Sequence, residues 1–172
     1  MHNGQTADPL NKWTKLIKAV SSKRKKVDAD YEEMARLEWY AGLYTKNQKI
    51  VVPGDLLEAC IRDAGRTKKL GKVVLGAVFV PGVFELNFPE NDQELDQLWL
   101  DENHRFSRAV VIQRARIMRM RPIFEEWSFE ATVHYDEMAI NKDSLLELLD
   151  IAGTKGLGDW RPKYGRFVVE VV

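Results

Sequence analysis

Leu10, Trp13, Leu16, Ile17 and Val20 recur at three- and four-residue intervals behind Asp8-Pro9, a capping residue followed by a first-turn proline. This spacing predicts an amphipathic helix over 9–21 with Lys12, Lys15 and Lys18 on its solvent side. Asp30 with Glu33 three residues on has the form of a capping box and opens a second helix through about residue 40, ended by Gly42. A turn leads into a short strand, 50–52. Beyond Pro53-Gly54, the positions Leu56, Leu57, Cys60, Ile61 and Ala64 mark a third helix, which runs out at Gly65 into Arg66, Lys68, Lys69 and Lys72. The apolar run 73–80, the Pro81-Gly82 pair and 83–88 predict two strands about a turn, and the acidic stretch after them a loop or short helix.

The clearest strand pattern follows. Residues 108–118 alternate loosely, and from Ile123 the alternation is strict, with Ile123, Trp127, Phe129, Ala131, Val133 and Tyr135 opposed by Glu126, Ser128, Glu130, Thr132 and His134. This predicts a half-buried antiparallel strand over 123–135, its inner face against a helix bearing Leu145, Leu146, Leu148, Leu149 and Ala152. Pro122 cannot donate to a central ladder, so 119–122 is expected to be the hairpin end or a bulge. Ser144 with Glu147 has the form of a cap on the last helix, Gly153 ends it, and a glycine-rich loop leads to a closing strand at 166–171. The order predicts an α+β fold, a ferredoxin-like or RRM-like antiparallel sheet with helices on one face and extra N-terminal helices. It is read as a single domain over 1–172, with a helical part at 9–44 and an α+β core at 45–172.

Composition narrows the function classes. With 45% hydrophobic residues and five tryptophans among 172 residues, the chain has enough buriable surface to fold. The longest uncharged apolar stretch is too short to span a bilayer, and the N-terminus lacks the apolar core of a signal peptide, so no membrane partner and a cytoplasmic location are expected. Cys60 is the only cysteine and is expected to be a buried thiol rather than part of a disulfide or thiolate cluster. No nucleophile elbow, phosphate loop or zinc-protease helix occurs. His134 with Asp136 and Glu137 is read as a solvated strand end rather than a metal site, so no catalytic residue, metal or cofactor is expected.

Net charge is zero, yet the charges are segregated. Residues 12–26 hold seven cations and no carboxylate, 85–102 hold seven carboxylates and no Lys or Arg, and 105–121 hold six arginines and no acid. Opposite blocks can neutralise one another across a fold, but residue type favours a ligand. Arginine forms forked phosphate contacts, and Arg114 and Arg116 share a strand face, with Arg119 and Arg121 at the expected hairpin end. The glycine-rich loop combines Gly156 and Gly158 with the cations Lys155, Arg161, Lys163 and Arg166 and the stacking faces of Trp160 and Tyr164. Glycine, cation and aromatic together suit a single-stranded nucleic acid. The basic loop Lys23, Arg24, Lys25 and Lys26 and the pair Lys68 and Lys69 complete the candidate binding set.

At that loop, Gly156-Leu-Gly158 followed by Tyr164-Gly165-Arg166-Phe167 resembles the signature of the RAMP superfamily, the RNA-binding ferredoxin-like subunits of CRISPR effector complexes. The segment Val52-Pro-Gly-Asp-Leu-Leu-Glu-Ala-Cys-Ile-Arg62 is similar to the strand-Pro-Gly-helix entry of those proteins. The chain as a whole, through Arg119-Met-Arg-Pro-Ile-Phe and the glycine-rich loop, also resembles uncharacterised proteins of tailed phages and prophages. The resemblance implies a non-catalytic, phage-encoded module that grips single-stranded RNA or DNA in the cytoplasm of a bacterial host, with a homo-oligomer or a host or phage protein as further partner. Its competitor is a protein-interaction or assembly subunit, including a RAMP-mimicking inhibitor of a host defence complex.

Overall fold

The computed structural model describes residues 4–112, 114–158 and 160–172, with only the backbone of Ile112. Among these residues the chain is mixed α+β. In chain order it forms a 3-10 turn (Gly4–Ala7), α1 (Lys12–Ser21), α2 (Asp28–Gly42), β1 (Thr45–Lys46), β2 (Lys49–Pro53), α3 (Gly54–Thr67), α4 (Gly71–Ala77), β3 (Val78–Phe79) and β4 (Val83–Glu85). Then come α5 (Leu95–Leu100), a second 3-10 turn (Glu102–His104), β5 (Arg105–Ile112), β6 (Ala115–Pro122), β7 (His134–Tyr135) and α6 (Lys142–Lys155). The described strands make small sheets: β1-β2-β4, β3-β7 and the hairpin β5-β6. The pairs β1-β2, β3-β7 and β5-β6 are antiparallel. No described helix is long and apolar enough to cross a membrane.

The chain resolves into two compact units, each built from two separate stretches, Met1–Val51 with Leu86–Ser128 and Val52–Glu85 with Phe129–Val172. In the first, α1 begins where Asn11 Oδ1 accepts from Trp13 N at 2.9 Å, while the carboxylate of Asp8 takes Leu10 N at 2.8 Å. The start is therefore three residues later than the Asp-Pro pair suggests. Asp30 sits inside α2 at its third position and reaches back to Val27 N at 3.0 Å. Its hydrogen bond with Lys23, then that with Val27, holds its carboxyl below the ordinary range. Trp39 has no exposed surface. Its indole donates to the carbonyl of His104 at 2.7 Å, which ties α2 to the start of β5. At the end of α2, a Cβ on Gly42 would stand 2.8 Å from the Pro122 ring, so glycine lets the helix meet β6.

In the second unit Leu57, Ile61, Val74, Leu145, Leu148 and Leu149 are buried together, with Phe129, Ala131, Val133, Tyr135, Phe167 and Val169 packed on them. Gly54 opens α3, where a Cβ would lie 1.7 Å from the Val80 carbonyl.

Several expectations are corrected. Residues 73–77 of the run 73–80 belong to helix α4, where Val74 and Ala77 bury at helical spacing, and only Val78 and Phe79 form strand β3; an unbroken apolar run does not by itself separate strand from helix. Residues 123–135 keep the expected alternation, inward residues half-buried and the opposed ones exposed. Their hydrogen bonding as strand, however, is confined to an isolated bridge at Ser128 with Asn87 and to β7. Trp127 belongs to the first unit, while Phe129, Ala131, Val133 and Tyr135 pack in the second. Residues 119–122 are the foot of β6, paired across to 105–108, and the turn lies between Ile112 and Ala115. Pro122 is accommodated at the strand's last position. Residues 166–170 alternate in burial without ladder assignment, Val171 is exposed, and Phe167 N donates to Gly153 O at 3.2 Å. The last helix is capped by Asn141, whose Oδ1 accepts from Ser144 N at 2.8 Å, and it extends to Lys155.

Candidate nucleic-acid interface

The β5–β6 hairpin gathers the arginine block into a two-stranded ribbon. Its register sets Arg108 opposite Arg119, Phe106 opposite Arg121 and Val111 opposite Arg116. Directly opposed residues share a face of the ribbon, so Arg108, Arg119 and Arg121 lie on one side and Arg116 on the other. Arg114 is in the two-residue connection, with φ of 67°. A left-handed value at that point suits the twist of a tight hairpin. Arg108, Arg114 and Arg116 are exposed.

Opposed like charges repel, and α2 supplies the remedy on one side. Glu38, 6% exposed, accepts from the Arg119 guanidinium and from Met120 N at 2.9 Å. Arg119 is thus engaged by the fold. Arg121 Nη1 donates to the Met120 carbonyl at 2.9 Å. The acidic stretch meets the arginine block at the foot of β5, where Glu102 pairs with Arg105 at 3.1 Å, and also serves α2, where Asp96 accepts from the Tyr40 hydroxyl. Burial, followed by that hydrogen bond, pushes the Tyr40 phenol up to about 12. In the basic loop, Lys23 pairs with Asp30 and Lys26 Nζ donates to the Lys23 carbonyl at 2.9 Å, while Arg24 and Lys25 are exposed.

The glycine-rich loop belongs to the second unit. Leu157 N donates to the Gly165 carbonyl at 2.8 Å and draws the two ends of the loop together. A Cβ on Gly165 would lie 1.9 Å from the Leu157 carbonyl, and one on Gly156 2.6 Å from that of Tyr164. These two glycines serve a close approach of the chain to itself. Gly158 has φ of 84°, and Asp159 lies outside the described residues. Arg161 bonds Asp63 of α3 at 3.0 Å, and Asp63 also holds Arg66 at 2.7 Å. Arg166 Nε donates to the Pro162 carbonyl at 2.9 Å, and Lys163 lies 5.5 Å over the Tyr164 ring. Trp160 and Tyr164 are half-buried. Lys155 ends α6, Lys68 pairs with Glu147, and Lys69 is exposed. The hairpin cations and the loop cations therefore fall in different units.

Cys60 is fully buried and its thiol lies within 3.3 Å of the Ala152 and Gly156 carbonyls. Burial pushes the thiol up, against a smaller opposing pull from the Arg161 charge. No group of three or more metal-ligating side chains occurs among the described residues. Sequence reasoning missed Glu38, whose only signal was a carboxylate between Leu37 and Trp39 where the helix turns inward. It also missed the cleft beside His104, for which no local pattern exists. Compared with protein-family models, with curated proteins and with solved structures, the chain matches none.

Proposed function

We propose that the chain is a non-catalytic nucleic-acid-binding module that contacts the phosphates of single-stranded RNA or DNA through the β5–β6 ribbon. The observation that carries this reading is the exposure of Arg108, Arg114 and Arg116 on a hairpin with no acidic residue from 105 to 121. Repulsion among ribbon arginines is relieved by an anionic partner, and phosphate oxygens match the guanidinium fork. The ferredoxin-like and RAMP-like reading, with its phage setting, is part of the proposal. It is supported by the order of α6, the glycine-rich loop and the return of Phe167 and Val169 onto the core. In this reading the loop contributes through Lys163 and Arg166 at its surface.

Fluorescence anisotropy of labelled single strands over a salt series tests it. Arg114→Ala/Arg116→Ala is expected to weaken binding to all sequences alike and to lower the log-log salt slope by about 1.4, roughly 0.7 per contact. Absence of binding by the wild type at low salt overturns the proposal. A docking function has its own support, because Val111 and Met118 are 69% and 60% exposed on the Arg116 face of the ribbon. It is the reading to which that outcome points.

A further inference from the structure

The first unit contains a cleft of about 310 Å³ whose walls include Phe88, Glu90, His104, Phe124, Glu125 and Glu126, with no Lys or Arg among its lining residues. His104 is 6% exposed and rigidly held. Its carbonyl accepts from Trp39 Nε1 at 2.7 Å and from Ile123 N at 3.2 Å. Its ring packs against Phe88 and Phe124, with centroids 5.9 and 5.3 Å away. Nδ1 faces the Ile123 carbonyl at 3.2 Å. A carbonyl only accepts, so Nδ1 carries the proton in the neutral ring and Nε2 presents a lone pair. Nε2 is buried without a hydrogen-bond partner. The Glu90 carboxylate lies across from it at 3.6 Å. With the ring neutral, two acceptors face each other at the wall of an acidic, aromatic cleft.

We propose that this cleft binds an organic cation with several N–H donors, a guanidinium or a primary ammonium head. One donor satisfies Nε2, a second satisfies Glu90, and the Glu125 and Glu126 carboxylates balance the charge at the rim. The Phe124 ring supplies a cation–π face. The requirement for donors separates such a head from a quaternary ammonium, and the requirement for charge separates it from a neutral amide. The head has two possible sources, a free small molecule or an arginine or lysine side chain of a polypeptide. The inference does not depend on the nucleic-acid reading, since it uses none of the ribbon arginines.

Titration calorimetry of the full chain with agmatine and with an acetylated, amidated Gly-Arg-Gly peptide tests the site. Tetramethylammonium serves as a donor-free control. Saturable millimolar binding is expected, with agmatine the tighter if the source is a small molecule and the peptide the tighter if it is a polypeptide. Tetramethylammonium should bind about tenfold more weakly, the loss of a charge-assisted hydrogen bond. Glu90→Gln should cost a similar factor, and because His104→Asn removes a buried ring and endangers the fold, Glu126→Gln provides the second variant. Nitrogen chemical shifts of His104 at saturation should report a neutral ring protonated at Nδ1, with Nε2 accepting. No saturable binding of either probe overturns the proposal. So does equal affinity for tetramethylammonium, indifference to both glutamate changes, or an imidazolium that persists in the saturated protein.

Discussion

Burying Glu38 beneath the hairpin makes its carboxylate dependent on two donors, the Arg119 guanidinium and Met120 N. Removing the carboxylate strands a guanidinium opposite Arg108 and orphans a backbone N–H. Glu38→Ala should therefore destabilise the protein by about 3 kcal/mol in urea denaturation. Cys60 makes a different prediction. Burial raises its thiol above the unfolded value, so the folded state holds the proton more tightly. The associated stability is fully present below about pH 8.5, the unfolded thiol value, and is lost as pH rises through the folded one. The urea midpoint of the wild type should fall between neutral and alkaline pH more steeply than that of Cys60→Ala, and native Cys60 should react with a thiol reagent only as fast as the chain opens.

At the scale of elements, glycines of one composition class divide into opposite predictions. Gly165 has φ of 74°, and a Cβ there would lie 1.9 Å from the Leu157 carbonyl, so Gly165→Ala must open the loop. A loss of at least ~2 kcal/mol is expected, read as a lowered melting temperature. Gly76 lies in α4 with nothing within 4 Å of its would-be Cβ. Gly76→Ala should instead stabilise by about 0.5 to 1 kcal/mol in the same measurement, through helix propensity. Along the chain the two residues look alike. The glycine-rich loop was legible as a loop, but what fills the space beside its glycines was not, because the neighbouring carbonyls arrive from the other end of the same loop.

At the scale of the molecule, both units draw on stretches from either side of the hairpin connection. Brief trypsin treatment should cut at the exposed Arg114 in the hairpin connection. The two pieces should stay together in native mass spectrometry, because β5 and β6 remain paired over eight residue pairs. Separation of the fragments without denaturant would contradict this arrangement. The sequence by itself determined the amphipathic helices, the arginine block, the inward set Phe129, Ala131, Val133 and Tyr135, and the buried character of Cys60. These follow from periodicity and residue type, which act over a few neighbours. Tertiary structure decided that 73–80 is mostly helix, where the hairpin turns, that Arg119 is held by Glu38 and Arg161 by Asp63, and that His104 faces Glu90 in a cleft. Each of those depends on groups far apart in the chain, whose meeting is set by the packing of whole elements and leaves no local pattern to read.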